Sequence, residues 1–95
     1  MKTVYIAGKI SGFMNYQQKF DEAVWKLRKK GYEKILNPCC LPKNLDYEQY
    51  MPVCFAMIDI SDAVFFLNNW EDSDGAKREM SYALAKKKEI MYEDN

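Results

Sequence analysis

A doubly wound α/β domain, with helices on both faces of a short parallel sheet, is the fold that this sequence predicts. Three observations predict it. Short apolar runs rich in β-formers alternate with longer segments of helical periodicity. The strand-to-helix joints carry Gly, Ser, Asn or Asp. The connections are short, as the alternation of strand and crossover helix requires.

Thr3-Val4-Tyr5-Ile6-Ala7 is a first strand ending at Gly8, and Lys9 to Asn15 is a loop whose Asn15 is placed to cap the next helix. From Tyr16 to Lys30, the residues Phe20, Ala23, Val24 and Leu27 recur at three- and four-residue spacing, which is a helix. Gly31 ends it in the left-handed conformation. Lys34-Ile35-Leu36 is a minimal second strand cut off by Asn37-Pro38. After a loop to Leu45, Asp46 caps a second helix marked by Tyr47, Met51, Cys54, Phe55 and Ile58. Pro52 falls near its start, so a kinked first turn or a later start is expected. Ala63 to Leu67 is the third strand, Gly75 to Lys87 the third helix and Glu89 to Tyr92 the fourth strand.

Residues 1–95 therefore read as one domain, a Rossmann-like three-layer α/β/α unit with the flavodoxin-like strand order 2-1-3-4. The switch point between strands 1 and 3 brings the Gly8–Gly12 and Trp70–Gly75 loops side by side at the carboxyl ends of the strands, where open α/β sheets bind ligands.

Composition narrows the chemistry. Apolar residues make up 48% of the chain, enough for a core. Fourteen basic residues balance fourteen acidic ones, so no net charge draws the chain to nucleic acid or a membrane surface. The apolar runs are far shorter than the roughly 20 residues a membrane span needs. Nothing at the N-terminus reads as a signal peptide. Cys39, Cys40 and Cys54 read as reduced thiols of a cytoplasmic protein. With no histidine, a metal site and Ser-His or Cys-His catalysis have no support, and no cofactor motif is present. The remaining chemistry is that of carboxylates, hydroxyls, backbone amides and Lys or Arg.

Among those groups Glu79 stands first. With Ala76, Met80, Ala83 and Leu84 marking the inner arc of the third helix, about 100° per residue puts Glu79 at the border of that arc. It either lines a cleft in contact with water or is a solvated carboxylate near a helix N-terminus. Gly8, Lys9, Ile10, Ser11 and Gly12 form an anion cradle or an ordinary turn. Ser73 and Gly75 open the third helix, as a cap or as amides holding a phosphate. Trp70 stacks on a base or covers the core. Asp59 and Asp62 read as turn groups and Cys39-Cys40 as inert packing. Arg28-Lys29-Lys30 and Lys86-Lys87-Lys88 read as solvated helix ends.

Val4 to Gly12, Asn37-Pro38, Asp62-Ala63-Val64 and Trp70-x-x-Ser73-x-Gly75-Ala76-x-x-Glu79 together resemble the nucleoside 2-deoxyribosyltransferase-like superfamily, in its small bacterial and phage branch. The resemblance implies that Glu79 is the nucleophile attacking the anomeric carbon of a 2-deoxynucleoside or its 5′-monophosphate. It implies that Ser73, with the first-loop amides, holds the phosphate, where enzymes of free nucleosides tend to carry Asp. It implies a homodimer or larger assembly, for which Tyr47, Tyr50, Met51 and Phe55 offer apolar area. One departure stands out: the superfamily's sugar-positioning Asp, eight residues before Asp62, is here Cys54. The resemblance thus implies either an N-glycosidase or transferase, or a nucleotide-binding module without turnover.

Overall fold

The computed structural model describes residues 2–94. Among them, four parallel strands alternate with three α-helices. These are β1 (Thr3–Ala7), α1 (Tyr16–Lys29), β2 (Lys34–Leu36), α2 (Tyr47–Asp59), β3 (Ala63–Phe66), α3 (Asp74–Ala85) and β4 (Glu89–Tyr92). Single 3-10 turns occupy Pro38–Cys40 and Trp70–Asp72. The sheet order is β2-β1-β3-β4, as the sequence predicts. Val4 sits opposite Ile35 on one side and Ala63 on the other, and Ala63 pairs onward with Glu89.

The period of two along β1 divides the core. Val4 and Ile6 face α1, packing with Phe20, Ala23, Leu27 and Phe65. Tyr5 and Ala7 point to the opposite face, among Cys54 and Ile58 of α2 and Met80 and Ala83 of α3. Strand order reverses direction after β2. With right-handed crossovers, that reversal puts α1 on one face and α2 with α3 on the other.

Helix ends follow from local chemistry. Gly31 takes φ +97 and closes α1, with Tyr32 N donating to Leu27 O and Gly31 N to Arg28 O. The end of α3 uses the same pair of bonds, Lys88 N to Ala83 O and Lys87 N to Leu84 O. Its left-handed residue is Lys87, at φ 59. The third helix therefore stops at Ala85, two residues short of the predicted Lys87.

Two expectations about helix starts change. Asn15 gives α1 no side-chain cap, because its backbone (φ −98, ψ 24) lacks the extended geometry that aims a cap at the first turn. Its carbonyl accepts from Lys19 N instead. Pro52 neither delays nor ends α2, since Gln49 Oε1 accepts from Asp46 N at 2.9 Å and starts the helix at Tyr47. Pro52 withdraws a donor only from Glu48, and both residues are exposed. Asp62 pins β3 to β1, taking the Thr3 N–H on Oδ2 and returning its own N–H to Thr3 O, each at 2.8 Å.

Candidate functional site

Gly8 lets the two central strands end close together. A Cβ there would lie 2.6 Å from Leu67 Cδ1, so only glycine allows the chain to leave β1 past the end of β3. Beyond that point opens a cavity of about 440 Å³. One wall is the β1–α1 loop, Gly8, Lys9, Ile10 and Ser11. A second is the segment from Pro38 to Leu45 together with Tyr47, Tyr50 and Met51 of α2. The third is the opening of α3, Asp72 to Ala76, with Glu79 one turn deeper, and Tyr5 contributes from the sheet.

Glu79 is far more enclosed than a border position suggests, with 5% of its surface exposed. The reason is the rotation of α3. Its buried stripe is Ala76, Glu79, Met80 and Ala83, whereas Leu84 is 58% exposed. Taking Leu84 as an inner-arc residue turns the helix wheel away from Glu79. The real stripe is an i, i+3, i+4, i+7 set that includes it.

A carboxyl buried this deeply needs partners. The Tyr5 hydroxyl donates to Glu79 Oε2, and the buried Cys54 thiol lies within electrostatic reach of the same carboxyl. Burial pushes the Glu79 carboxyl up to about 7, although the Tyr5 hydroxyl and the Cys54 thiol pull it back. Burial, with the neighbouring carboxylate, raises the Tyr5 phenol well above its ordinary value. Burial and Glu79 together push the Cys54 thiol up to about 11. At neutral pH the phenol and the thiol therefore keep their protons and serve as donors, while the carboxyl is poised between its two forms.

At the mouth, Ser73 Oγ accepts from Ala76 N at 3.1 Å and caps α3. The cap leaves the hydroxyl proton free to donate into the cavity beside the positive end of the helix. In the first loop, the Lys9 N–H donates to Asn69 Oδ1 at 3.2 Å, so that amide is already engaged by the β3–α3 connection.

Of the residues singled out from the sequence, Gly8, Lys9, Ile10, Ser11, Ser73, Gly75 and Glu79 meet around this one cavity. Three stand outside its wall. Gly12, at φ +75, has open space around it. Trp70 packs edge-on against Phe66, ring centroids 5.5 Å apart, in its core-covering role. Cys54 is fully buried behind Glu79. Tyr5 is the cavity residue that sequence reasoning passes over. A tyrosine on an inward position of a buried strand carries a hydroxyl that must find a partner, and that is the available signal. Tyr47, Tyr50 and Met51, read as spare apolar area for an interface, line the cavity, and Tyr47 remains 44% exposed.

Among the described residues no helix is long and apolar enough to cross a membrane. None of their Cys, Asp and Glu side chains gather in a group of three or more able to hold a metal.

Comparison with known proteins adds the family. No curated protein matches the chain. A solved structure, a 2-desoxiribosyltransferase from Leishmania mexicana, matches at TM-score 0.72 and 23% identity. The match covers 97% of this chain but 63% of that one, so this chain spans less than two thirds of that enzyme's length. At that identity the likeness is one of fold. The model of the family described as "Domain of unknown function (DUF4406)" matches residues 2–92, and the chain belongs to that family.

Proposed function

We propose that this protein is a nucleotide N-glycosidase or 2-deoxyribosyltransferase that works through Glu79. The observation that carries the proposal is the buried Glu79 carboxyl, held by Tyr5 against a nucleotide-sized cavity at the carboxyl ends of β1 and β3. The deoxyribosyltransferase fold supports the same chemistry.

In this proposal a Glu79 oxygen attacks the anomeric carbon as the bond to the base breaks. The base leaves with the bond's electron pair and takes a proton from solvent or an acidic group at the cavity mouth. Water or a second base then attacks the glycosyl ester, and the carboxylate is restored. A carboxyl near 7 serves this cycle, because enough is ionised at neutral pH to attack. Tyr5 fixes the direction of the attacking group, which is where much of the rate gain of a preorganised site arises.

Ser73 and the free amides at the start of α3 favour a 5′-monophosphate ligand over the free nucleoside. The aromatic wall of Tyr47 and Tyr50 suits a base. Incubation with a panel of deoxynucleoside monophosphates, followed by chromatography, should reveal free base. Calorimetry should give tighter binding of the nucleotide than of its nucleoside, and equal affinity would remove the phosphate from the proposal.

One observation favours a second reading, a nucleotide-binding protein without turnover. The Cys54 thiol, at about 11, moves no proton at neutral pH. Nucleotide binding with no base release from any member of the panel would select it. We also propose a homo-oligomer, since Val53, Ile60 and Leu84 remain exposed on α2 and α3 and at the end of α2. A purely monomeric mass by light scattering at micromolar concentration would overturn that point.

A further inference from the structure

Glu79 has polar neighbours on two sides. Tyr5 approaches from β1 and donates to Oε2. From α2 come Cys54, fully buried and within electrostatic reach of Glu79, and one turn earlier Tyr50, packed against the same core cluster as Cys54. The Tyr50 hydroxyl oxygen is buried and, among the described residues, has no hydrogen-bond partner at normal distance. The Cys54 thiol, the Glu79 carboxyl and, from the Pro38–Cys40 turn, the Cys39 thiol are within electrostatic reach of it. Its ring lines the cavity, which a phenylalanine would do as well.

An unpartnered buried hydroxyl costs about 1–3 kcal/mol, so its presence calls for a state in which it has work. That state is the ionised form of Glu79. A buried carboxylate draws the Cys54 S–H towards itself, and the sulfur becomes a better acceptor as it donates. A small turn of the Tyr50 hydroxyl then satisfies both groups. Burial raises both the Tyr50 phenol and the Cys54 thiol, so neither gives up its proton.

We propose that Tyr50 is a positioning residue that acts on Glu79 through Cys54, with hydroxyl, thiol and carboxylate closing into a second donor chain opposite Tyr5 when Glu79 ionises. The proposal rests on Glu79 being the working carboxylate of this cavity, but its test reads the carboxyl itself and needs no turnover.

The Glu79 carboxyl carbon can be followed by NMR in protein labelled at glutamate, its resonance assigned by its loss in Glu79→Gln. In Tyr50→Phe the Glu79 midpoint should rise by about half a pH unit or more, as expected for losing one donor to the charged form. At about pH 5, where Glu79 is protonated, the melting temperature should stay level or rise, because the deleted hydroxyl has no partner in that form of the fold. Cys54→Ala should raise the midpoint at least as much, and Tyr50→Phe added to it should do nothing more. Cys54→Ser, which keeps a donor, should bring the midpoint back towards wild type. An unchanged midpoint in Tyr50→Phe overturns the proposal. So does a full further shift in the Cys54→Ala background, or a clear fall in the Tyr50→Phe melting temperature at about pH 5, where Glu79 is protonated. Failure of the wild type to release any base would sink the glycosidase proposal and leave the titration standing.

Discussion

Tyr5 of the central strand and Glu79 of the third helix are joined by a single buried hydrogen bond across 74 residues of sequence. The strand alternation that turns Val4 and Ile6 towards α1 turns Tyr5 towards α3, so the phenol and the carboxyl meet because of the parity of one and the helical phase of the other. Burial of that carboxyl, which the Tyr5 hydrogen bond only partly offsets, also makes the site a source of instability.

Glu79→Gln should stabilise the fold above neutral pH and abolish base release. The folded-state carboxyl sits at about 7 instead of the usual 4.5, so the folded chain holds this proton more tightly than the unfolded chain. The penalty is absent below the unfolded value, grows as pH rises between the two, and is complete above 7. Its size is roughly 3 kcal/mol. Thermal melts should show Gln and wild type alike at about pH 4, with Gln several degrees higher at about pH 8. No gain in alkali would show that Glu79 carries no such strain.

Ser73→Asp separates the cap from the phosphate. Asp caps a helix about as well as Ser, so the melting temperature should hold. A carboxylate at the mouth repels a phosphate, and monophosphate affinity should fall at least about tenfold, while a nucleoside loses little. Calorimetry with the matched pair decides this; equal losses for both ligands would deny Ser73 its phosphate role.

Lys87→Gly should raise stability by about 1 kcal/mol, since a lysine at φ 59 carries strain that glycine lacks. For a domain of this size the melting temperature should rise by about 4–8 °C. A lower melting temperature would mean that the Lys87 side chain contributes more than the strain removes.

Glu93→Gln should destabilise the protein, most at neutral pH. Its side chain, 3% exposed, takes Lys19 at 2.9 Å, Lys26 at 3.2 Å and the Asn68 N–H at 2.9 Å. Burial opposes the charge, but the Asn68 amide and the two lysines outweigh it and hold the carboxyl below its usual value. The stability it contributes is therefore present above the unfolded value and is lost as pH falls through the folded one. A loss of about 1–3 kcal/mol is expected at neutral pH, shrinking in acid. Equal melting temperatures at neutral pH would show the ion pairs to be neutral in sum.

The sequence by itself determined the element order, the parallel sheet and the loops that meet at the switch point. Those follow from local signals: the period of each segment, Gly31 as a left-handed stop, and Ser73 as a cap three residues before the Ala76 amide. Tertiary structure decided how far each helix turns about its axis and what lies behind each wall. Leu84 and Glu79 both fit an amphipathic wheel, and only packing against β1 and β3 chose Glu79 as buried and Leu84 as exposed. Tyr5, Cys54 and Tyr50 are distant in sequence from the carboxyl they surround. Their grouping depends on strand register and on the phase of α2, which no local period encodes. The same holds for Glu93, whose partners come from α1 and from the end of β3.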